Sequence, residues 1–563
     1  MNARRLVLLS LFCLTACAGG GSSSEPSSEP SSEPSSEPSS SSSSAFPVGQ
    51  AINTDANPRT QSTDKFRTMY EIMPITFADG NGDGKGDFYG AADKLDYLHD
   101  MHYEGVWVTP IHPSPSYHHY DVTDYYDVDP AFGGLSAFSA FVEKAHDLGM
   151  TVVLDLVINH SAYNNPWFQD CVNAVTSYDT YSPYYEYYNI KQGSKTTGWH
   201  NVPGRSGWIY EGQFYDGMPD LNLQAVLDDP EGYLASEIKD ICEFWLKDMD
   251  VDGFRLDAVT SYFTGNPGKN LEFLTWLDGV CESIKPGVYM VGEGSWDADS
   301  SENRTYQQSG IDSFFNFVHT QPNTAYSIAK IVGSSTNAAR MATGMKVAWD
   351  TAGEGIPASF MANHDTNRMA SIDGGKSNIK KAKLGLSLLS LLPGAAYTYY
   401  GDEIGMAIPN GSTDNDPDRR LHMDWGDDYE TNDPSGHSAY TEASKAYPYP
   451  DVKTQQSDPD SILNHAKKAN ALRQMFPEIA RGKTNPVTTY NPEGSRTTVA
   501  AFTKETETSK IYVVVNPSTE ESIVFDFSAC GSVTPVAELS VVGNTTYSGH
   551  ELYLAPGAVV ILK

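Results

Sequence analysis

From about Thr68 onward, short runs of β-branched and aromatic residues alternate with longer amphipathic stretches, and this alternation constrains the chain more than any other feature. Strands separated by helices pair in parallel, because the chain must cross back over the sheet before the next strand begins. The runs span residues 69–75, 105–111, 151–158, 253–259, 288–292, 312–317, 358–362 and 395–400. Eight such units close a parallel sheet on itself, so the expected fold is α/β, a (β/α)8 barrel. The residues best suited to chemistry lie where the runs end: Asn159-His160, Asp257, Glu293, His364-Asp365 and Asp402-Glu403. A barrel of this kind gathers its reactive groups at that face.

Two stretches depart from the pattern. Residues 161–222 form a Tyr-, Gly- and Asn-rich segment, read as a subdomain inserted after the third strand. Beyond Gly482, short alternating strands such as 498–502, 511–515 and 559–562 predict a C-terminal antiparallel β-sandwich over 483–563, leaving 46–482 for the barrel. At the other end, Arg4 and Arg5 precede the short apolar core Leu6 to Leu14, the form of an export signal over 1–17. Residues 18–45, built on Ser-Ser-Glu-Pro repeats, have almost nothing apolar to bury and are expected to be a disordered linker. Leu14-Thr15-Ala16-Cys17 resembles the bacterial lipobox, which implies cleavage before Cys17, acylation of its thiol, and an extracytoplasmic protein lipid-anchored at the cell surface. A simple secretory signal with an incidental cysteine is the alternative.

The formal net charge of -34 opposes nucleic acid and anionic lipid, since both are polyanions. A neutral ligand suits the chain better, and 33 Tyr and 9 Trp supply flat faces with polar edges that fit sugar rings as well as ordinary packing. The expected membrane contact is through the lipid anchor only, and the expected state is a monomer. Cys171, Cys242, Cys281 and Cys530 are widely spaced in no metal-ligand pattern, so no essential disulfide is expected.

Asp257, Glu293 and Asp365 are the trio that cleavage of a glycosidic bond with retention needs. One carboxylate attacks the anomeric carbon while an acid protonates the departing oxygen, which requires two carboxyls about 5–5.5 Å apart. Around them, Asp155-Leu-Val-Ile-Asn159-His160, Gly253-Phe-Arg255-Leu-Asp257, Gly292-Glu293 and Phe360-Met-Ala-Asn363-His364-Asp365 occur in this order. The set resembles the four motifs of the α-amylase family of glycoside hydrolases, from about residue 65 to the end. The resemblance implies Asp257 as nucleophile, Glu293 as acid/base and Asp365 as the acid that favours the oxocarbenium-like state. It also implies that His160 and His364 bond sugar hydroxyls, that Tyr120 stacks on the sugar ring, and that Asp155 supports Arg255. Asp121 meets a terminal sugar in exo-acting relatives and only braces its neighbours in endo-acting ones. Arg255, two residues before Asp257 on a strand, shares its face, so its charge is expected to keep Asp257 ionised.

Asp79-Gly-Asn81-Gly-Asp83-Gly-Lys85-Gly-Asp87 repeats oxygen donors at every second position with glycine between, as hard cations require. The expected cofactor is Ca2+, held by the Asp79, Asn81, Asp83 and Asp87 side chains and the Lys85 carbonyl, with a solvated acidic turn as the alternative. Gly294, where relatives carry a larger apolar residue, is expected to open the adjacent subsite. Trp199, Trp208 and Trp296 could stack on glucose, but packing is the expected role of any single one. Met218-Pro219-Asp220-Leu221-Asn222 resembles the group intermediate between oligo-1,6-glucosidases and neopullulanases, which includes lipid-anchored bacterial α-amylases. The expected activity is therefore an endo-acting α-amylase on α-1,4-glucans such as starch, glycogen or maltodextrins. An exo-acting α-glucosidase, a neopullulanase or a 4-α-glucanotransferase shares the trio, and a non-catalytic glycan-capture lipoprotein is the rival from another class.

Overall fold

The computed structural model describes residues 49–54, 59–296, 301–317, 331–332, 338–371, 378–409, 414–439, 448–487 and 498–563. The export signal, Cys17 and the 18–45 linker lie outside these residues.

Eight strands form a closed, all-parallel barrel: β1 (Thr68–Ile72), β2 (Gly105–Val108), β3 (Thr151–Leu156), β4 (Gly253–Leu256), β5 (Tyr289–Gly292), β6 (Ser313–Asn316), β7 (Ala358–Phe360) and β8 (Ala395–Tyr399). They neighbour one another in chain order, and β8 closes on β1 through Tyr397 opposite Met69 and Tyr399 opposite Glu71. Each falls within or against a run read from the sequence, but several stop early. β1 ends at Ile72 because Pro74 opens the short helix Pro74–Phe77. Proline lacks the N–H that a strand ladder needs but suits the first turn of a helix.

Alternate residues of these strands point inward and fill the barrel. Met69, Trp107, Val153, Tyr289, Val291, Phe315, Phe360 and Tyr397 form an apolar interior cluster. Each fully buried side chain of this size contributes on the order of 1.5–3 kcal/mol. One step further along, the same inward positions become charged: Glu71 on β1, Asp155 on β3 and Arg255 on β4, all buried. The register sets Asp155 directly beside Arg255. The apolar plug thus carries a charged layer at its C-terminal end.

After β3 the chain leaves the barrel to form the helix Pro166–Ser177 and an antiparallel sheet of Ile190–Gln192, Trp208–Glu211 and Trp199–Asn201. Beyond the barrel, a five-stranded antiparallel sheet (Lys483–Pro486, Ala500–Glu505, Lys510–Val515, Val559–Leu562, Pro535–Leu539) faces a four-stranded one. Val514, Val560 and Leu562 of the first pack on Phe525, Leu552 and Leu554 of the second. One boundary needs correction. Gln50–Ala51, assigned from sequence to the barrel segment, pairs with Thr546–Ser548 at the edge of the four-stranded sheet. Two residues are too few to show a period in sequence.

Candidate active site

A cavity of about 540 Å³ opens at the C-terminal end of the barrel, lined among others by Tyr120, His160, Asp257, Glu293, Asp365 and Trp296. Strand ends place the acids. Asp257 follows β4 and Glu293 follows β5, and the Glu293 N–H donates to the Leu256 carbonyl at 2.9 Å, which fixes the two exits side by side.

The two carboxyls are joined through one guanidinium. Arg255 Nη1 donates to Asp257 Oδ1 at 2.5 Å and Nη2 to Glu293 Oε2 at 2.6 Å, while Asp155 takes Nη1 at 3.0 and 3.2 Å. A planar fork can touch both acids only if they converge on it, and both also line the cavity. Trp296 Nε1 donates to the second oxygen of Glu293 at 3.0 Å. One cation thus faces three carboxyls, of which Asp155 and Asp257 are buried. Burial pushes Asp257 up to about 8, Arg255 pulls against it, and Glu293 and Asp155 add to the rise. The expectation that Arg255 keeps Asp257 ionised is therefore incomplete, because burial outweighs the guanidinium. Asp257 and Glu293 thus meet at one guanidinium, close enough for the charge of each to act on Asp257.

Asp365 is held differently. Arg420 Nη2 donates to its Oδ1 at 2.8 Å, and His364 Nε2 lies 3.1 Å from its Oδ2. Burial alone would raise this carboxyl, but His364 and Arg420 hold it well below the usual carboxylate range. Against burial, Asp365 and Glu71 push His364 up to about 10. Its Nδ1 donates to Glu71 Oε1 at 2.6 Å, and Nε2 also lies 2.8 Å from the Tyr120 hydroxyl. His364, expected to bond sugar hydroxyls, is buried and spends both nitrogens on protein groups. Its Nε2 faces Asp365 and Tyr120, both of which line the cavity.

Tyr120 lines the cavity with its hydroxyl donating to Asp155 Oδ2 at 3.0 Å. His160 lines it too. Its Nδ1 lies 3.2 Å from the Asn159 amide, its buried Nε2 has no hydrogen-bond partner, and burial lowers it to about 4, so it is a neutral imidazole. Asp121 stands against the cavity-lining His118. It is buried, takes the Ser114 hydroxyl at 2.7 Å and is bonded by Ser116. Asp402 and Glu403 are buried away from the cavity, Glu403 accepting from Tyr70 and Tyr97 and Asp402 facing Arg368.

Gly294 corrects another expectation. A Cβ there would lie 2.4 Å from Asn303 Oδ1, which accepts from the Ser295 N–H at 2.8 Å. The space a side chain would occupy is filled by Asn303, so no subsite opens. Trp296, by contrast, stacks on Phe317 at 4.5 Å yet stays 43% exposed on the cavity rim with Phe214 and Tyr215. Arg420, Glu71, His118, Phe214 and Tyr215 were not singled out from sequence. Only Glu71 gave a signal, as a lone acid inside an otherwise uncharged strand.

In the Asp79–Asp87 loop, Asp79 Oδ1 accepts from the Asn81 and Gly82 N–H groups and its Oδ2 from Gly84, while Asn81 and Asp83 each cap the residue two ahead. Gly82 and Gly84 have φ of 82 and 85°, which only glycine adopts readily. Asp87 is fully buried; one oxygen takes the Gly80 and Gly90 N–H groups and the other has no partner. Burial, with Asp79 adding to it, raises this carboxyl. A buried carboxylate oxygen without a donor fits a cation neighbour. Among the described residues no three His, Cys, Asp or Glu side chains are grouped to hold a metal by themselves, so the amide and carbonyl oxygens would have to complete the set.

Comparison with known proteins decides the family. The α-amylase catalytic domain model matches residues 71–482. The chain belongs to the α-amylase family of glycoside hydrolases. It is 33% identical over 510 residues to α-amylase 3 of Dictyoglomus thermophilum, covering 88% of this chain and 92% of that one. It is 28% identical to an α-glucosidase of Apis mellifera, over 83% and 87% of the two chains. Among solved structures, Eubacterium rectale Amy13B aligns with a TM-score of 0.82 and 33% identity, over 92% of this chain and 99% of that one. The (β/α)8 barrel is thus the fold of this family.

Proposed function

We propose that this glycoside hydrolase, whose family acts on α-glucans, is an endo-acting, retaining α-amylase that cleaves α-1,4 bonds of starch, glycogen or maltodextrins. The observation that carries this reading is the Arg255 fork, which holds Asp257 and Glu293 together on the floor of one cavity. Glu293 gives its proton to the departing glycosidic oxygen while Asp257 attacks the anomeric carbon, forming a glycosyl ester. Deprotonated Glu293 then takes a proton from water, whose oxygen displaces Asp257 and releases the sugar. Asp365, kept ionised by Arg420 and His364, opposes the positive charge that develops on the ring in both steps.

Two features support internal cleavage. Phe214, Tyr215 and Trp296 remain exposed on the rim, giving faces on which glucose units beyond the cleaved bond can stack. Asp121, the acid that would meet a terminal sugar, is buried and bonded by Ser114 and Ser116 beside His118, as suits a brace. The test is chromatography of products from maltoheptaose, free or blocked at its non-reducing end. An endo-enzyme cuts both, an exo-enzyme leaves the blocked chain whole, and a glucanotransferase yields products longer than the starting chain.

Around this core we place two further assignments. A Ca2+ ion is held by Asp79, Asn81, Asp83, Asp87 and the Lys85 carbonyl, where it would neutralise the buried Asp87 oxygen and stiffen the loop after β1. Cys17 carries a lipid that anchors the enzyme outside the cytoplasm, with residues 18–45 as spacer.

A further inference from the structure

A second cavity, of about 600 Å³, lies between the inserted subdomain and the helix Tyr233–Glu243, and it shares no lining residue with the catalytic cavity. The insert contributes Thr180, Tyr185 and Glu186 to its wall, and the entrance to the helix contributes Asp229, Glu231 and Tyr233. Because this helix leads into β4, its first turn lies at the same end of the barrel as the catalytic groups.

The wall combines two properties. Tyr233 is 66% exposed although it is the first residue of a helix that buries Leu234, Ala235 and Ile238, so its ring is left out of the core that the helix builds. Among the described residues no protein group takes the hydroxyl of Tyr185 or Tyr233. Beside these rings stand three carboxylates, of which, among the described residues, Glu231 alone is in an ion pair, with Lys239 at 2.7 Å. The frame is fixed independently of any ligand: the Tyr187 hydroxyl donates to Glu237 at 3.2 Å and to the Tyr233 carbonyl at 3.4 Å, and Gly232 N–H bonds the Asp229 carbonyl at 2.9 Å. Preformed walls lower the ordering cost of binding.

Aromatic faces flanked by acceptor oxygens and hydroxyls match a ligand with flat C–H faces and many hydroxyl donors. The carboxylates repel anions, and the flat ring faces favour a neutral ligand with C–H faces of its own. We propose that this cavity is a second, non-catalytic glucan-binding site that holds a polymer chain at the catalytic end of the barrel. The proposal rests on the reading of the enzyme as an α-glucan hydrolase. Two sites on one rigid body engaging one polymer bind it more tightly than either alone.

The test uses the full chain and the variants Tyr233→Ala, Glu186→Ala and Tyr233→Phe. Retardation in native gels containing soluble starch is measured beside hydrolysis of a short chromogenic maltooligosaccharide that occupies the catalytic cleft alone. Tyr233→Ala is expected to weaken retention by starch roughly tenfold, Glu186→Ala by less, and Tyr233→Phe hardly at all, with the short substrate cleaved at the wild-type rate. Unchanged retention in the alanine variants overturns the second site. So does a parallel fall in cleavage of the short substrate, which would assign these residues to the fold or the cleft. A wild-type enzyme neither retarded by starch nor able to cleave it would instead sink the glucan reading itself.

Discussion

Arg420 was invisible in the sequence, yet it holds one oxygen of Asp365, and Arg420→Met measures what that grip contributes. The substitution keeps much of the buried stem and removes three bonds: Nη2 to Asp365 Oδ1 at 2.8 Å, Nε to the His364 carbonyl at 3.0 Å, and Nη1 to the Tyr117 hydroxyl at 3.1 Å. Only the first acts on a group that faces the reacting sugar. A hydrogen bond to a charged partner is worth about 1.5–3 kcal/mol, and 1.4 kcal/mol is tenfold in rate, so kcat/KM should fall roughly 10- to 150-fold. The loss should lie mainly in kcat, because Asp365 opposes charge that is greatest in the transition state. Stability supplies an independent readout. Asp365 is held below its ordinary 3.8, so its pairing stabilises the fold fully above that pH and ceases to do so as pH falls. The gap in melting temperature between wild type and variant should be full at pH 6 and shrink below pH 4. A variant within twofold of wild-type kcat/KM, or a gap that widens in acid, refutes the reasoning.

Asp257→Ala or Glu293→Gln should lower starch hydrolysis by several orders of magnitude while the circular dichroism spectrum stays that of the wild type; activity close to wild type would remove either residue from the chemistry. Chelation should lower the melting temperature of the wild type but not of an Asp87→Asn variant, and elemental analysis should find about one calcium per chain in the wild type. Gly294→Ala must displace Asn303 from its bond to the Ser295 N–H, which should cost about 1–3 kcal/mol and reduce activity by moving Trp296 away from Glu293. Differential scanning calorimetry and kcat measurement together check this.

The fold was legible because each barrel strand is a short apolar run that no helix period explains, and the C-terminal sandwich follows the same local logic. Asp257, Glu293 and Asp365 were legible because each lies directly after a strand, where chain direction alone fixes the end of the barrel it occupies. What the sequence concealed depends on packing. Nothing near Arg420 shows that it would be buried against Asp365, since a loop more than fifty residues away supplies it. The partner of His364 was hidden for the complementary reason: Glu71, on the strand across the closure of the barrel, takes its far nitrogen. Trp296 gained its position from Phe317, which holds the ring edge within bonding distance of Glu293.

The pairing of Gln50–Ala51 with the C-terminal sheet also bears on mechanics. Whatever precedes residue 50 leaves the folded body from an outer strand secured by only two residue pairs, Gln50 with Tyr547 and Ala51 with Thr546. A pull from that direction would peel this short strand before it reached any element that carries the catalytic acids.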